Sequence, residues 1–175
     1  MAPPPIILKP ITTERLADLQ EMYEASDQYF HTFTGDKVLP IQAANDYAQL
    51  IESDDRAIMA IWWKEESIIG SLDFRFNHPD ENVLWLGAMI LRDELPGDRP
   101  AIAEWSIKIL MEWLRIATDI EEIRTAVPLT APELVYFWKQ MDFILTPELL
   151  RQKIANKSIR FGVYTKTIDH SSRQT

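Results

Sequence analysis

The chain has 175 residues, 46% of them hydrophobic and 26% charged, and no cysteine, so we expect one folded domain without disulfide bonds or thiolate metal sites. Its formal net charge of −9 disfavours nucleic acid and anionic membranes as main partners, because binding to phosphate depends on Lys and Arg. The chain has no signal-peptide pattern at its start and no apolar stretch near the roughly 18 to 20 residues that span a bilayer, so we expect a cytoplasmic protein outside the membrane.

The first third of the chain predicts one strand and two helices. Residues 6–11 are typical of a strand, and the apolar spacing that follows them predicts an amphipathic helix. A second helix is predicted from Pro40, because Pro is favoured in a first helical turn. The aromatic run 29–33 falls between these two helices, and we interpret it as a loop.

The middle of the chain predicts three consecutive antiparallel strands. Residues 57–63, 68–76 and 82–91 are rich in Ile, Trp, Phe and Leu. Two turn-prone stretches, 64–67 and 77–81, separate them.

A polar loop at 92–99 precedes the most regular helical pattern of the chain. Apolar residues recur there at helical spacing: Ile102, Trp105, Ile109, Trp113 and Ile116. We therefore predict a helix over residues 100–117, with Trp105 and Trp113 in the core.

The last third predicts strand, helix and strand. Residues 122–128 are typical of a strand, and a capping box at 130–133 opens a helix that runs to Met141. The stretch 147–155 is predicted to be helical, and residues 159–166 alternate as a final strand.

These elements indicate an α/β fold with a central twisted mixed sheet of about six or seven strands and helices on both faces. We expect a single domain over residues 1–175, folded from about 6 to 168, with loose ends at 1–5 and 170–175.

Three stretches carry a family resemblance. Residues 63–70 form a short polar hairpin followed by Gly, residues 83–103 combine a strand, a loop and a helix start, and residues 131–143 form a last helix ending in Met-Asp-Phe. In this order they resemble the GNAT superfamily of acetyl-CoA-dependent N-acetyltransferases. The resemblance implies transfer of an acetyl group from acetyl-CoA to a small-molecule or peptide amine.

The resemblance also implies where acetyl-CoA binds. In the family, backbone groups of the fourth strand contact the pantetheine arm, and N–H groups at the start of the next helix bind the pyrophosphate. The matching positions here are Met89, Ile90 and Leu91 for the arm and Arg99, Ala101, Ile102 and Ala103 for the pyrophosphate.

This loop departs from the family pattern Gln/Arg-x-x-Gly-x-Gly/Ala. Asp98 stands for Gln or Arg, Ala101 stands for Gly, and Pro100 has no N–H to offer. A carboxylate at Asp98 competes with phosphate for the helix donors. An alternative register over residues 96–101 does not restore the pattern.

The final helix of the family usually ends in Tyr-x-Lys-x-Gly-Phe, and its Tyr often protonates the departing thiolate. Trp138 stands at that position here, beside the cofactor, and an indole cannot supply a proton. Tyr136 lies about 200° around the helix and cannot simply replace it. Direct attack by the amine needs no side-chain nucleophile. The alternative is a catalytically inactive GNAT-fold binding or regulatory module.

The acceptor side offers further candidates. The general base is expected among Asp73, His78 and Glu81, which lie near the strands on the acceptor side of the family. The acceptor pocket is expected at Tyr29, Phe30 and His31; the alternative is an aromatic cluster that covers the sheet. No metal site is predicted. Trp62 and Trp63 are adjacent in a strand and face opposite sides, so one of them is free for a pocket or for the interface of a homodimer.

Overall fold

The computed structural model describes residues 2–171. The strands are β1 (Ile6–Pro10), β2 (Arg56–Trp63), β3 (Ser67–Phe76), β4 (Val83–Leu91), β5 (Glu122–Pro128), β6 (Ile144–Ile154) and β7 (Lys157–Thr167). The helices are α1 (Leu16–Glu24), α2 (Asp27–Phe33), α3 (Gln42–Glu52), α4 (Arg99–Ala117) and α5 (Pro132–Gln140), and a 3-10 turn at Thr13–Arg15 precedes α1.

The strands form one mixed sheet in the order β1-β2-β3-β4-β5-β7-β6. Within residues 2–171, β4 and β5 are the one pair of neighbouring strands that run parallel, because α4 carries the chain from the end of β4 back to the start of β5. All other neighbours are antiparallel. The predicted mixed α/β architecture is confirmed.

Each face of the sheet has its own core. Against one face, α4 buries Ile102, Ile107, Leu110 and Leu114 completely, and each such side chain contributes roughly 1.5–3 kcal/mol. Against the other face, α1 buries Leu19, Met22 and Tyr23. The sheet is therefore covered on both sides.

The prediction of a helix at 147–155 is wrong, because this stretch belongs to β6. A two-residue turn with positive φ at Ala155 (51°) and Asn156 (65°) joins β6 to β7, and such turns match the twist of paired strands. Pro147 falls where the pairing register shifts between Leu145 and Leu149, so it breaks no regular ladder.

The prediction of a loop at 29–33 is also wrong, because these residues form most of α2. The cap of this helix comes from far away in the chain. The Asp93 carboxylate accepts hydrogen bonds from the N–H groups of Asp27 and Gln28, both at 3.0 Å. A local sequence pattern cannot reveal such a cap.

The prediction that Trp105 and Trp113 lie in the core is wrong. Trp113 is 38% exposed and Trp105 is half-buried. The buried face of α4 consists of Ile102, Ala103, Ser106, Ile107, Leu110 and Leu114. The Trp stripe instead lines an open apolar groove of about 810 Å³ beside the end of β7.

The residue that precedes α5 is Ala131, and no side chain caps that helix, so the expected capping box is absent. Trp62 and Trp63 face opposite sides as predicted. Trp62 is buried, and Trp63 packs half-buried on the α4 core.

Of the predicted loose ends, Met1 and residues 172–175 lie outside the described residues. The two ring nitrogens of His170 lie 3.1 and 2.6 Å from the carbonyl oxygens of Arg115 and Ile120. Within residues 2–171, no helix combines the length and the apolar character needed to cross a bilayer.

Candidate functional site

The central feature of the site is the divergence of β4 from β5. The two strands pair at only four positions, from Val83 with Glu122 to Leu86 with Thr125. The Thr125 hydroxyl donates to the Leu86 carbonyl oxygen (3.0 Å) at the last of these positions. Beyond this point the two strands no longer pair, so they leave an open V in which backbone groups are available.

A bulge in β4 lies where the V opens. Phe74 of β3 pairs with Leu86, but the preceding Asp73 pairs with Ala88, so Gly87 is the extra residue. The bulge shifts the alternation of side chains, and Met89 packs on the α4 side. Gly87 itself is exposed.

Hydrogen bonds hold the closed end of the V. The N–H groups of Glu121 and Glu122 donate to the Asn82 carbonyl oxygen (2.8 and 3.3 Å). The Arg124 Nε donates to the Glu122 carboxylate (2.7 Å), and the Thr165 hydroxyl donates to the same carboxylate. These contacts tie the start of β5 to β7 and to the turn before β4.

We expect the Glu122→Gln variant to lose stability at neutral pH but not in strong acid. Hydrogen bonding by Arg124, and then by Thr165, holds the pKa of Glu122 below its usual 4.5. A carboxyl group whose pKa is lowered by folding stabilises the fold above its unfolded pKa, and this contribution disappears as the pH falls through the folded pKa. Urea unfolding of the native chain and the variant at neutral pH and in strong acid measures this contribution to stability. The control is Glu121→Gln, an exposed neighbour, and an equal loss at both pH values would contradict the expectation.

The open end of the V leads into a cavity of about 670 Å³. Its walls come from four elements: α2 (Gln28, Tyr29, Thr32, Phe33), β4 (Met89, Leu91), α4 (Arg99, Pro100, Ala103, Glu104) and α5 (Glu133, Leu134, Tyr136, Phe137, Gln140) with Met141. A chamber of about 80 Å³ lies between the diverging strands themselves, lined by residues 87–89 and 125–128 and by Trp138. A slender chain can therefore run from the start of α4 to the space between β4 and β5.

The start of α4 offers few donors to an anion. The Asp98 carboxylate accepts from the Ala101 N–H (3.0 Å), and the Asp98 carbonyl accepts from the Ile102 N–H (3.0 Å). Pro100 has no N–H. Among the described residues at the start of α4, the N–H groups of Asp98 and Arg99 have no recorded acceptor.

The Arg99 guanidinium lines the cavity but binds the loop. Its Nη2 donates to the carbonyl oxygens of Arg92 and Asp93, the latter at 3.1 Å. The cavity walls otherwise carry the carboxylates of Glu104 and Glu133. The anion site that the resemblance implies at this loop therefore lacks the donors of Pro100, Ala101 and Ile102, and its cation Arg99 is already engaged.

Trp138 occupies the chamber side of α5. It is buried and packs edge-to-face on Phe137 and Phe143, with ring centroids 5.0 and 4.8 Å away. Tyr136 is 66% exposed and lines the large cavity instead. The two aromatic residues thus face different spaces, and the phenol does not reach the chamber wall that the indole forms.

Of the three candidate bases, Asp73 lies beside the bulge. Its carboxylate is bound by Arg56 through Nε (3.0 Å) and Nη2 (2.5 Å), and this hydrogen bonding raises the pKa of Arg56. His78 and Glu81 lie in the turn before β4, at the closed end of the V. The structure therefore does not bring the three residues together.

Helix α2 presents its residues to the site unequally. Tyr29 lines both spaces and stacks on Phe33 at 4.7 Å, and burial, followed by the nearby charges of Asp73 and Asp46, raises the pKa of its hydroxyl. Phe30 is buried in the core beneath α1, so it belongs to an aromatic cluster that covers the sheet rather than to an acceptor pocket. His31 is exposed and lines neither space. Phe33, which the aromatic run 29–33 already offered to the pocket, lines both spaces. Sequence reasoning missed Gln28 and Thr32, because these residues face the cavity only when α2 is helical.

Comparison with solved structures finds close similarity of fold. The spermidine N-acetyltransferase from Vibrio cholerae in complex with CoA and spermine matches with a TM-score of 0.78 and 12% identity, over 94% of this chain and 96% of that one. A Salmonella typhimurium acetyl transferase that modifies the N-terminal serine of ribosomal protein L7/L12 matches at 0.79 and 12%, over 94% and 95%. A GCN5-related N-acetyltransferase from Brucella melitensis matches at 0.75 and 14%, over 95% and 77%.

The chain has the GNAT fold. No protein-family model matches it, and no curated protein matches its sequence. At identities of 11–15%, the likeness to solved structures shows the architecture alone and does not test the residues at the start of α4.

Proposed function

We propose that this chain transfers an acetyl group from acetyl-CoA to an amine by direct attack of the amine on the thioester. One observation carries the proposal: beyond Leu86 and Thr125, β4 and β5 diverge and open onto a cavity that reaches the start of α4. The likeness to an enzyme whose structure contains CoA and spermine supports a CoA thioester as donor and an amine as acceptor. We place the reaction in the cytoplasm, which suits a chain without cysteine.

In this mechanism the strand, rather than a nucleophilic side chain, orients the thioester. The pantetheine arm lies along Met89, Ile90 and Leu91, and a backbone N–H of the open strand polarises the thioester carbonyl. The amine nitrogen attacks the carbonyl carbon, a C–N bond forms and the C–S bond breaks. CoA leaves as a thiolate and takes up the proton that the amine releases.

Side chains near the thioester assist by hydrogen bonding. A tyrosine hydroxyl is protonated at neutral pH, and burial moves the pKa of Tyr29 further from that range, so it serves as a donor. Trp138 has an indole N–H but no acidic proton, so it contributes packing and polarity. An ammonium must lose a proton before its nitrogen can attack, and we assign Asp73, the candidate base beside the bulge, to take up that proton. We assign no role to His78 and Glu81.

The diphosphate of CoA is held weakly in this proposal. Arg99 supplies an N–H and a guanidinium, and the backbone at Ala101, Ile102 and Ala103 contributes contact without a free donor. The Asp98 carboxylate repels the phosphates. Most of the binding free energy therefore comes from the pantetheine arm.

Calorimetry tests this assignment. We expect acetyl-CoA to bind, and S-acetyl-pantetheine, which lacks the diphosphate and the nucleotide, to keep a larger share of the affinity than in an enzyme with a donor-rich loop. Mass spectrometry of polyamines and short peptides incubated with acetyl-CoA then identifies the acetylated amine. Absence of both heat and thermal shift at millimolar acetyl-CoA would refute the proposal, since a ligand at many times its Kd must stabilise the fold.

A second candidate is a GNAT-fold binding module without catalysis. It is favoured by the Asp98 cap on Ala101 and by the buried Trp138, which together remove an anion donor and a proton donor. The two candidates separate on product formation. A module of this kind binds a ligand in the cavity but acetylates no amine in the presence of acetyl-CoA.

A further inference from the structure

The hairpin of β6 and β7 carries a basic surface on an acidic chain. Residues 144–160 include four cations, Arg151, Lys153, Lys157 and Arg160, and one carboxylate, Glu148, whereas the whole chain has 27 carboxylates and 18 cations. All four cations are exposed. Over residues 2–171, the structure records no salt bridge or side-chain hydrogen bond to any of them. We call residues 151–160 the basic tip.

The basic tip projects at the open end of the V. β7 pairs with β5 only as far as Phe161 with Pro128, so residues 151–160 extend beyond the end of β5. This is the end at which β4 and β5 diverge. Within the tip, Arg151 lies directly opposite Arg160. Like charges facing each other across strands repel, and an anion bound between them relieves the repulsion.

Two contacts link the hairpin of β6 and β7 to α2 and the residues after it, and α2 lines the cavity. Gly35, which follows α2 with φ +75°, packs so closely on the hairpin turn that an added Cβ would lie 2.7 Å from the Ala155 nitrogen. The Phe33 ring lies 6.4 Å from that of Phe161, measured between centroids. Phe33 lines both the cavity and the chamber, and Phe161 directly follows the tip in the chain, so the tip lies next to the end of α2 that faces both spaces.

The hairpin also offers a strand edge and apolar side chains. β6 is the last strand of the sheet, so its outer edge is free to pair with an extended peptide. Leu149 is 54% exposed and Leu150 is 36% exposed, beside the cations. A peptide with carboxylates and apolar residues complements this surface.

We infer that the amine acceptor is an acidic peptide segment whose Asp or Glu side chains dock on the basic tip and deliver a nearby amino group to the cavity. The inference rests on the proposed function and adds the class of acceptor to it. A nucleic acid fits less well, because its regular phosphates would meet the carboxylates that dominate the rest of the chain.

Binding and turnover test the inference separately. Fluorescence anisotropy compares a labelled peptide rich in Glu with the same peptide carrying Gln at every Glu position. We expect the acidic peptide to bind at least about tenfold more tightly at low salt, with a gap that narrows as salt is added. The double variant Arg151→Glu/Arg160→Glu should lose this preference. The control Lys64→Glu/Lys139→Glu makes the same charge change on exposed residues elsewhere and should keep it.

The outcomes distinguish this inference from the proposed function. If acetyl-CoA binds and both peptides are acetylated with equal kcat/KM, the inference is wrong and the proposed function stands. If acetyl-CoA neither binds nor reacts, the proposed function fails, and with it the role of the peptide as acceptor. Stronger binding of an oligonucleotide than of the acidic peptide, lost in the double variant, would also overturn the inference.

Discussion

Replacing Gly87 with valine is expected to reduce acetyl transfer by about 100-fold while leaving the fold intact. A Cβ added at Gly87 would lie 3.6 Å from the Asp73 carbonyl oxygen and 3.8 and 4.0 Å from Cδ1 and Nε1 of Trp85, which are ordinary contact distances. Valine also suits a strand. The new side chain therefore costs little stability, but it lies in the wall of the chamber of about 80 Å³, where the proposed function brings the amine to the thioester.

The measurement pairs kcat/KM with urea unfolding. Stability within about 0.5 kcal/mol of the native chain is expected, as for an exposed position. Ser67→Val, at the exposed start of β3 and away from the V, is the matched control and should leave transfer unchanged. Gly70→Ala makes an instructive contrast: its Cβ would lie 2.5 Å from the Ile90 carbonyl oxygen, so it should destabilise the fold. Full activity of the valine variant would place the reaction elsewhere.

Replacing Asp98 with alanine is expected to raise the affinity for acetyl-CoA by about tenfold, because a carboxylate near the diphosphate is removed. The same change frees the Ala101 N–H, which Asp98 binds at 3.0 Å, for the phosphates. It also removes the cap of α4, so a loss of about 1 kcal/mol in the free energy of unfolding is expected. Affinity and stability thus move in opposite directions.

Asp98→Asn separates the two effects. Asn caps a helix about as well as Asp but carries no charge, so this variant should keep the stability of the native chain. Its affinity for acetyl-CoA should rise only because the negative charge near the phosphates is lost. The expected affinity is therefore higher than that of the native chain and lower than that of the alanine variant. Calorimetry and thermal unfolding of the three proteins give the comparison. Unchanged acetyl-CoA affinity in both variants would mean that the diphosphate does not reach α4.

The parts of the fold that sequence reasoning predicted are those set by local periodicity. The helix expected at 100–117 and the strand expected at 122–128 agree with α4 and β5 to within one residue. The predictions failed where distant residues decide. The cap of α2 comes from Asp93, and β6 is a strand because it pairs with β7, so neither follows from its own residues.

The Trp stripe of α4 shows a different limit. Spacing alone indicates that Ile102, Trp105 and Ile109 share a face, but it does not say which of two apolar faces meets the sheet. The smaller residues at 103 and 106 allow α4 to approach the sheet closely, and they are buried with Ile102. The large indoles take the outer position.

The candidate site was predictable only in outline. The resemblance led to β4 and to the start of α4, and both line the cavity. It did not indicate that the Asp98 carboxylate would accept a hydrogen bond from the Ala101 N–H. Nor did it indicate that Arg56 would donate to both carboxylate oxygens of Asp73. Such contacts depend on side-chain geometry, which residue spacing does not contain.

A sheet that splits in its middle has two additional unpaired strand edges, and unpaired edges tend to pair with strands of other chains. Here the gap between β4 and β5 is flanked by Tyr29 and Phe33 from one side and by Phe137 and Trp138 from the other. Between these aromatic rings lies the chamber of about 80 Å³, a volume too small for a polypeptide strand with its side chains. Main-chain donors and acceptors can therefore stay unpaired between β4 and β5 without promoting aggregation, since the chamber admits only a thin, unbranched ligand.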